Sequence, residues 1–220
     1  MTPLFFLLLA WLIGVPATPS PAQPGRAEEL FVQGLNHQFG QGGFTADENR
    51  ALELYLQAIK LDPDYFKPLY SAGFLYYQRG DYGNARKYLG MAISSSRGKS
   101  ASDEAMASTA YGSCYLKEGK YKEAEKWMRA AVRLNPGLAE AHVNLINCYL
   151  AQERVQDARK AIADAQEQAP HPIYQKLEAR IAGNLGWELG TPLGLRVVGI
   201  GLGVGLVLIL LLRRLRRRAV

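Results

Sequence analysis

Apolar residues divide this 220-residue chain into three regimes. Residues 4–15 form one unbroken apolar run, and residues 193–212 form a longer one rich in glycine, leucine and valine. Between them, charged and apolar residues mix as they do in soluble helical domains. The first run covers about a dozen residues, short of the roughly 20 that cross a bilayer, and it gives way to proline and small residues. That order predicts a secretory signal peptide over residues 1–22, although no Lys or Arg precedes Arg26. At 1.5 Å per residue the second run makes a helix of roughly 30 Å, the thickness of a bilayer core. A transmembrane helix is therefore predicted over residues 193–212, with Arg196 able to snorkel and Trp187 placed for the interface. Residues 23–27 and 184–192 read as linkers, residues 28–183 as one helical domain, and residues 213–220 as a basic tail.

Self-similarity organises the middle of the chain. Its clearest unit is residues 105–138, with Gly112, Tyr115, Gly119, Tyr121, Ala124, Ala131 and Pro136 at regular places. The preceding unit starts at Phe66 and repeats the pattern with Gly73, Tyr76, Gly80, Tyr82, Ala85, Ala92 and Ile93. The following one starts at Ala139 and keeps Leu145, Tyr149, Ala158, Ala165 and Pro170. Pro136 and Pro170 stand 34 apart, whereas Gly73 and Gly112 stand 39 apart, and the insertion SSSRGKSASDE between them predicts a bulging loop. Residues 28–63 form a poorer first copy, in register only through Ala51, Tyr55, Ala58, Ile59 and Pro63 of its second helix; its first helix reads as irregular. After the last copy, Ile173, Leu177 and Ile181 share one helical face before Gly183 and Asn184, which predicts a capping helix ending there.

The small, aromatic and turn residues at these places resemble the tetratricopeptide repeat family, whose period is 34. The glycine- and aspartate-containing connection in residues 40–59 resembles the related Sel1-like repeats. The resemblance covers about residues 28–183. It implies an all-α fold: an α-solenoid of about four antiparallel helix pairs plus a capping helix, followed here by the transmembrane helix. Neither helix of a unit buries its shared face alone, so stacking supplies the core. The resemblance also implies a protein-binding scaffold with no catalytic role, whose groove is lined by the first helix of each pair. Register places Tyr70, Phe74, Tyr77, Thr109, Ser113, Lys117, Asn144 and Asn147 in that groove. Aromatic rings supply contact area there and amides can bond a partner's backbone, which suits an extended peptide or a helix. The lysine and asparagine pattern with which chaperone-binding members hold a C-terminal carboxylate is not reproduced.

Charge changes the membrane half of this reading. The formal net charge is +6. Arg213, Arg214, Arg216, Arg217 and Arg218 lie in the last eight residues, and without those five the balance is +1. The body thus lacks the basic excess that neutralises nucleic-acid phosphates, and no nucleic-acid partner is expected. The arginines instead mark the tail as cytoplasmic, which places the repeats on the extracytoplasmic side, periplasmic or cell-surface, of a bacterial membrane. A cleaved signal peptide predicts the same orientation. The alternative is a cytosol-facing, tail-anchored receptor with an uncleaved N-terminal segment. Gly199, Gly201, Gly203 and Gly205 form two overlapping small-xxx-small pairs, a spacing that permits homodimerisation within the bilayer.

Candidate chemistry is sparse. His37, His142 and His171 show no metal-ligand spacing, and no metal or other cofactor is expected. Arg97, Gly98, Lys99 and Ser100 resemble the end of a phosphate-binding loop, but Ile93 stands where its first glycine belongs. Cys114 and Cys148 occupy the same place in adjacent units, so they belong on neighbouring helices at 8–10 Å, too far for a disulfide. An enzyme would need a concave pocket with several convergent ionisable groups, and none is expected.

Overall fold

The computed structural model describes residues 24–189. The predicted signal peptide, the transmembrane segment 193–212 and the arginine tail lie outside the described residues. Among the described residues no helix is long and apolar enough to cross a membrane.

Nine α-helices and no strands make up the described residues: α1 Pro24–Phe39, α2 Glu48–Leu61, α3 Phe66–Gln78, α4 Tyr82–Ser96, α5 Ala101–Lys117, α6 Tyr121–Leu134, α7 Ala139–Ala151, α8 Val155–Gln168 and α9 Ile173–Leu189. Helices α1 to α8 form four pairs within one compact unit ending at His171. Each second helix carries two alanines one heptad apart, and Ala51, Ala58, Ala85, Ala92, Ala124, Ala131, Ala158 and Ala165 are all fully buried. Opposite them, the first helices of three pairs present a glycine. A Cβ on Gly34 would lie 2.5 Å from Tyr55 Cε1, one on Gly73 2.6 Å from Leu89 Cγ, and one on Gly112 2.8 Å from Trp127 Cβ. Successive first helices touch, α3 against α5 and α5 against α7, more closely than successive second helices do. The stack therefore bends toward its first helices, whose free faces line the inner side.

Gly34 corrects the reading of the first unit. Helix α1 is regular, and Gly34 takes the place that Gly73 and Gly112 hold in the next two units. The sequence hid this because the step from that glycine to the first buried alanine is 17 residues in the first unit and 12 in the next two. The extra length sits in the connection 40–47, where Gly40, Gly42 and Gly43 have positive φ and Phe44 packs on His37 at 4.6 Å. Asp47 ends it by capping α2, accepting from the Asn49 and Arg50 amides.

The expected bulge between the second and third units is also absent. Residues 97–100 alone separate α4 from α5, a connection no longer than 62–65 or 135–138. The insertion is absorbed by longer helices. Ser95 and Ser96 satisfy their hydroxyls on the Ala92 carbonyl, so a serine run that competes with helix in isolation is accommodated inside one. Ser100, the end of the apparent phosphate loop, caps α5 by accepting from the Asp103 amide.

Among the described residues, 172–189 belong to a second unit, whose helix is α9. Tyr174, Leu177 and Ile181 are buried. The helix does not stop at Gly183 and Asn184 but runs to Leu189. One interior glycine costs only about 1 kcal/mol relative to alanine, too little to end a helix without a following proline or cap.

The turns inside the units differ at one telling position. Gly80 and Gly119 adopt φ of 77° and 74° between the paired helices, and the equivalent residue of the fourth unit, Glu153, adopts 58°. A side chain there costs roughly 1–2 kcal/mol, partly offset by the chain entropy a glycine would lose. Glu153→Gly is therefore expected to stabilise the domain by about 0.5–1 kcal/mol. Gly112→Ala, which drives a methyl against Trp127, should destabilise it by about 1–3 kcal/mol. Chemical denaturation of the two variants checks these opposite signs.

Candidate partner-binding groove

Helix α3 places aromatic residues at spacings of four, four and three, which keeps them on one face. Phe66 stacks on Tyr70 at 5.7 Å, Tyr70 on Phe74 at 6.4 Å, and Phe74 on Tyr77 at 6.2 Å, all with nearly parallel rings. Tyr82, at the start of α4, continues the row at 5.9 Å from Tyr77. Phe74 is 36% exposed, so the row presents ring surface to solvent rather than closing into the core. Burial first, and then the Glu140 carboxylate on α7, holds the Tyr70 hydroxyl above its ordinary range. Tyr77 is raised chiefly by burial, with Cys114, Tyr82 and Glu140 adding to it. Glu140 thus acts on the aromatic row from two pairs away, as expected for groups sharing one inner surface.

The structure brings most of the sequence-predicted groove residues to this surface. Tyr70, Phe74 and Tyr77 form its aromatic part. The Ser113 hydroxyl donates to the Thr109 carbonyl at 2.9 Å and accepts from Asn144 Nδ2 at 3.2 Å, joining α5 to α7. Lys117 is exposed at the end of α5, and Asn147 is half-buried on α7. Thr109 and Ser113 are exceptions: they are 1% and 7% exposed, and both hydroxyls donate within α5, that of Thr109 to the Ala105 carbonyl at 2.8 Å and that of Ser113 to the Thr109 carbonyl. Two groove residues escaped the sequence reading: Phe66 and Glu140, each one turn before a residue that was read, Tyr70 and Asn144.

Charged joints link the second unit to the third and the third to the fourth. Arg86 on α4 donates to Glu118 at 2.8 Å and lies over the Tyr115 ring at 4.8 Å, while Lys120 meets Glu118 at 2.9 Å. Hydrogen bonds from Arg86 and then Lys120 hold the Glu118 carboxyl below its usual range. One unit later the charges are reversed. Glu125 on α6 accepts from Arg154 at 2.7 Å and from Gln152 at 3.3 Å, and Arg154 lies over Tyr149 at 4.6 Å.

A second concavity was not expected. A cleft of about 350 Å³ opens between α6, α7 and α8, and Arg129, Arg133, His142, Asp157, Lys160 and Asp164 converge on it. The expectation that no pocket gathers several ionisable groups is therefore corrected. Three helices each contribute a stripe to it, a convergence that single-helix periodicity does not display. Among the described residues no group of His, Cys, Asp and Glu is placed to hold a metal ion.

Cys114 and Cys148 are free and buried. Burial pushes the Cys114 thiol up to about 11 and the Cys148 thiol to about 12, from an ordinary 9.0. An acid whose pKa rises on folding keeps its proton in the native state after the unfolded chain has lost it. Stability from the two thiols is therefore intact below pH 9.0 and lost as the pH climbs through about 11 to 12. Thermal melts should be level up to pH 9 and fall above it, with the Cys114→Ala, Cys148→Ala double variant losing part of that fall. Both thiols should resist iodoacetamide at pH 8 in the native protein and react on unfolding; rapid native alkylation would contradict their burial.

No curated protein matches the sequence. Two family models, both described as tetratricopeptide repeat, match residues 70–139 and 115–181. Among solved structures, the fold is similar to MamA, 41 to end, from Desulfovibrio magneticus RS-1, at 21% identity, with 73% of this chain and 86% of that one covered and a TM-score of 0.59. It is similar to pilF of Pseudomonas aeruginosa at 17% identity, with 74% and 71% covered and a TM-score of 0.60. It is also similar to the first tetratricopeptide domain of Spaghetti (RPAP3), bound to the HSP90 peptide SRMEEVD, at 20% identity, with 60% and 97% covered and a TM-score of 0.51. With the matched repeats, the stacked helix pairs and the glycine and alanine positions that let them approach, the chain belongs to the tetratricopeptide repeat family.

Proposed function

We propose that this protein is a membrane-anchored, non-enzymatic scaffold that holds a partner protein in the groove along its first helices. The row Phe66, Tyr70, Phe74 and Tyr77 carries this reading. Rigid rings offer large contact area at small entropic cost, and Asn144 and Asn147 supply amides along the same surface. A peptide is the favoured ligand class, and the solved Spaghetti domain holds one. The membrane half rests on sequence: the N-terminal apolar run, the apolar segment 193–212 and the five arginines beyond it support a span with the repeats outside the cytoplasm. The glycine pairs from Gly199 to Gly205 favour a dimer of that span. The long connection 40–47 favours a Sel1-like first unit on a tetratricopeptide stack.

Photo-crosslinking amino acids placed at Tyr77 or Asn147 in intact membranes should capture the partner, identified by mass spectrometry. Phe74→Ala should weaken capture by roughly tenfold or more while leaving the melting temperature nearly unchanged, because the ring is partly exposed already. Capture only from the opposite face of the stack would refute the groove assignment. The topology predicts a mature chain starting near residue 23 and repeats protected from protease added on the cytoplasmic side. An intact Met1 with protease-accessible repeats would make the protein a cytosol-facing receptor instead.

A further inference from the structure

The cleft between α6, α7 and α8 lies where two aromatic positions of the preceding unit are taken by smaller, aliphatic residues. In the second unit, Tyr88 on the second helix stacks on Tyr76 of the first at 5.5 Å. In the third, the equivalent Trp127 packs on Tyr111 at 4.5 Å. Each ring packs on the first helix of its own pair, and both border the buried cluster that holds Ala92 and Ile93. In the fourth unit that position is Ala161, and Leu145 stands where Tyr111 stood. The lost indole and the lost phenol leave about 350 Å³, which lies in the size range of small-ligand sites.

The rim of this space carries an excess of unpaired positive charge. Arg154 is held by Glu125 and Asp157, and Arg129 reaches Glu125 at 3.4 Å. Arg133 and Lys160 have no ion-pair partner among the described residues, and against them only Asp164 is likewise unpaired among the acids lining the cleft. Arg133 on α6 and Lys160 on α8 both line the cleft, whose apolar lining includes Leu145 and Tyr149. On α7 the cleft residues His142, Leu145 and Tyr149 lie on the side opposite Glu140, Asn144 and Asn147, so this surface is distinct from the groove and does not rest on it.

We infer that this outer cleft is a second binding site, which takes an aromatic side chain from a partner polypeptide, flanked by acidic residues that meet Arg133 and Lys160. The ring replaces what Trp127 and Tyr88 supply in the preceding units. The acids answer the charge that the chain itself leaves unpaired.

Matched probes separate ring from charge: acetyl-Asp-Trp-Asp-amide, acetyl-Asn-Trp-Asn-amide and acetyl-Asp-Ala-Asp-amide, each titrated into the full-length chain. Binding is read from the His142 ring resonances by NMR. The first peptide should bind at least about fivefold more tightly than either of the others, each of which lacks one part of the match. Ala161→Trp should abolish the response by filling the cleft, with helical content and melting temperature kept. The Arg133→Glu, Lys160→Glu variant does not touch the packed floor, so it tests the site even if the bulky variant fails to fold. It should reverse the preference between the Asp and Asn peptides. Equal binding of the Asp-Trp-Asp and Asp-Ala-Asp peptides would reduce the cleft to an anion site and overturn the inference. Equal binding of the Asp and Asn peptides, no binding of any, or an unchanged response in folded Ala161→Trp would overturn it as well. None of these outcomes bears on crosslinking from Tyr77, so the two sites stand or fall separately.

Discussion

Close approach between helices is the constraint on which the rest of this structure depends. Helices that pack near the lower end of the usual 8–10 Å range need small residues at the crossing, and this chain supplies them in two complementary sets. Buried alanines recur a heptad apart on every second helix, and glycines stand opposite them on the first helices of the first three pairs. A methyl group at any of those glycines would sit under 3.0 Å from its neighbour. The short crossing confines large side chains to the space beside the glycine and alanine contacts. The aromatics either pack across the two helices of a pair, as Tyr76 on Tyr88 and Tyr111 on Trp127 do, or line the inner surface, as Phe66, Tyr70, Phe74 and Tyr77 do. The candidate groove is thus a by-product of how tightly the pairs must close.

Small residues settle distance but not order, because one pair could stack on any other. The charged joints distinguish them. Arg86 faces Glu118 at one junction, and Glu125 faces Arg154 at the next. Stacking α4 on the fourth unit would set Arg86 against Arg154, taking Glu118 from Arg86 and leaving Arg154 with Asp157 alone. Exposed pairs of this kind add at most about 1 kcal/mol each, so their larger effect is to penalise the wrong neighbour. Both joints place an arginine over a tyrosine at the same position of its unit, Tyr115 or Tyr149, so the conserved geometry is the stacked ring and the variable part is which partner brings the charge.

Much of this was legible in the sequence, since a packing rule that repeats leaves a repeating trace. The positions of Gly73, Gly112, Tyr115, Ala85 and Ala124 followed from the period alone. What the period could not carry was missed. The connection 40–47 put Gly34 out of step with its own second helix and made a regular unit look irregular. The serines at 94–96 read as loop because their intrinsic preference is for caps and turns, yet inside α4 two of them bond back to the Ala92 carbonyl. Thr109 fell on the groove face by register, but the touching first helices α5 and α7 bury it together with neighbouring Ser108. Polar residue types at groove positions therefore do not by themselves mark groove surface.

The outer cleft shows a different kind of signal, one carried by the failure of a repeat rather than by its presence. Tyr88, Trp127 and Ala161 occupy one position in three successive units, and a change from large to small there has two possible physical outcomes: the neighbours collapse inward, or a cavity remains. In this fold the space remains. The α7–α8 distance is already set by the fully buried Ala158 and Ala165, and α8 is tied to α6 through the Arg154 and Glu125 pair. The space consequently persists as an open cleft with cations at its edge, and the rule that closes the pairs tightly enough to build the groove is also the rule that keeps the cleft from closing.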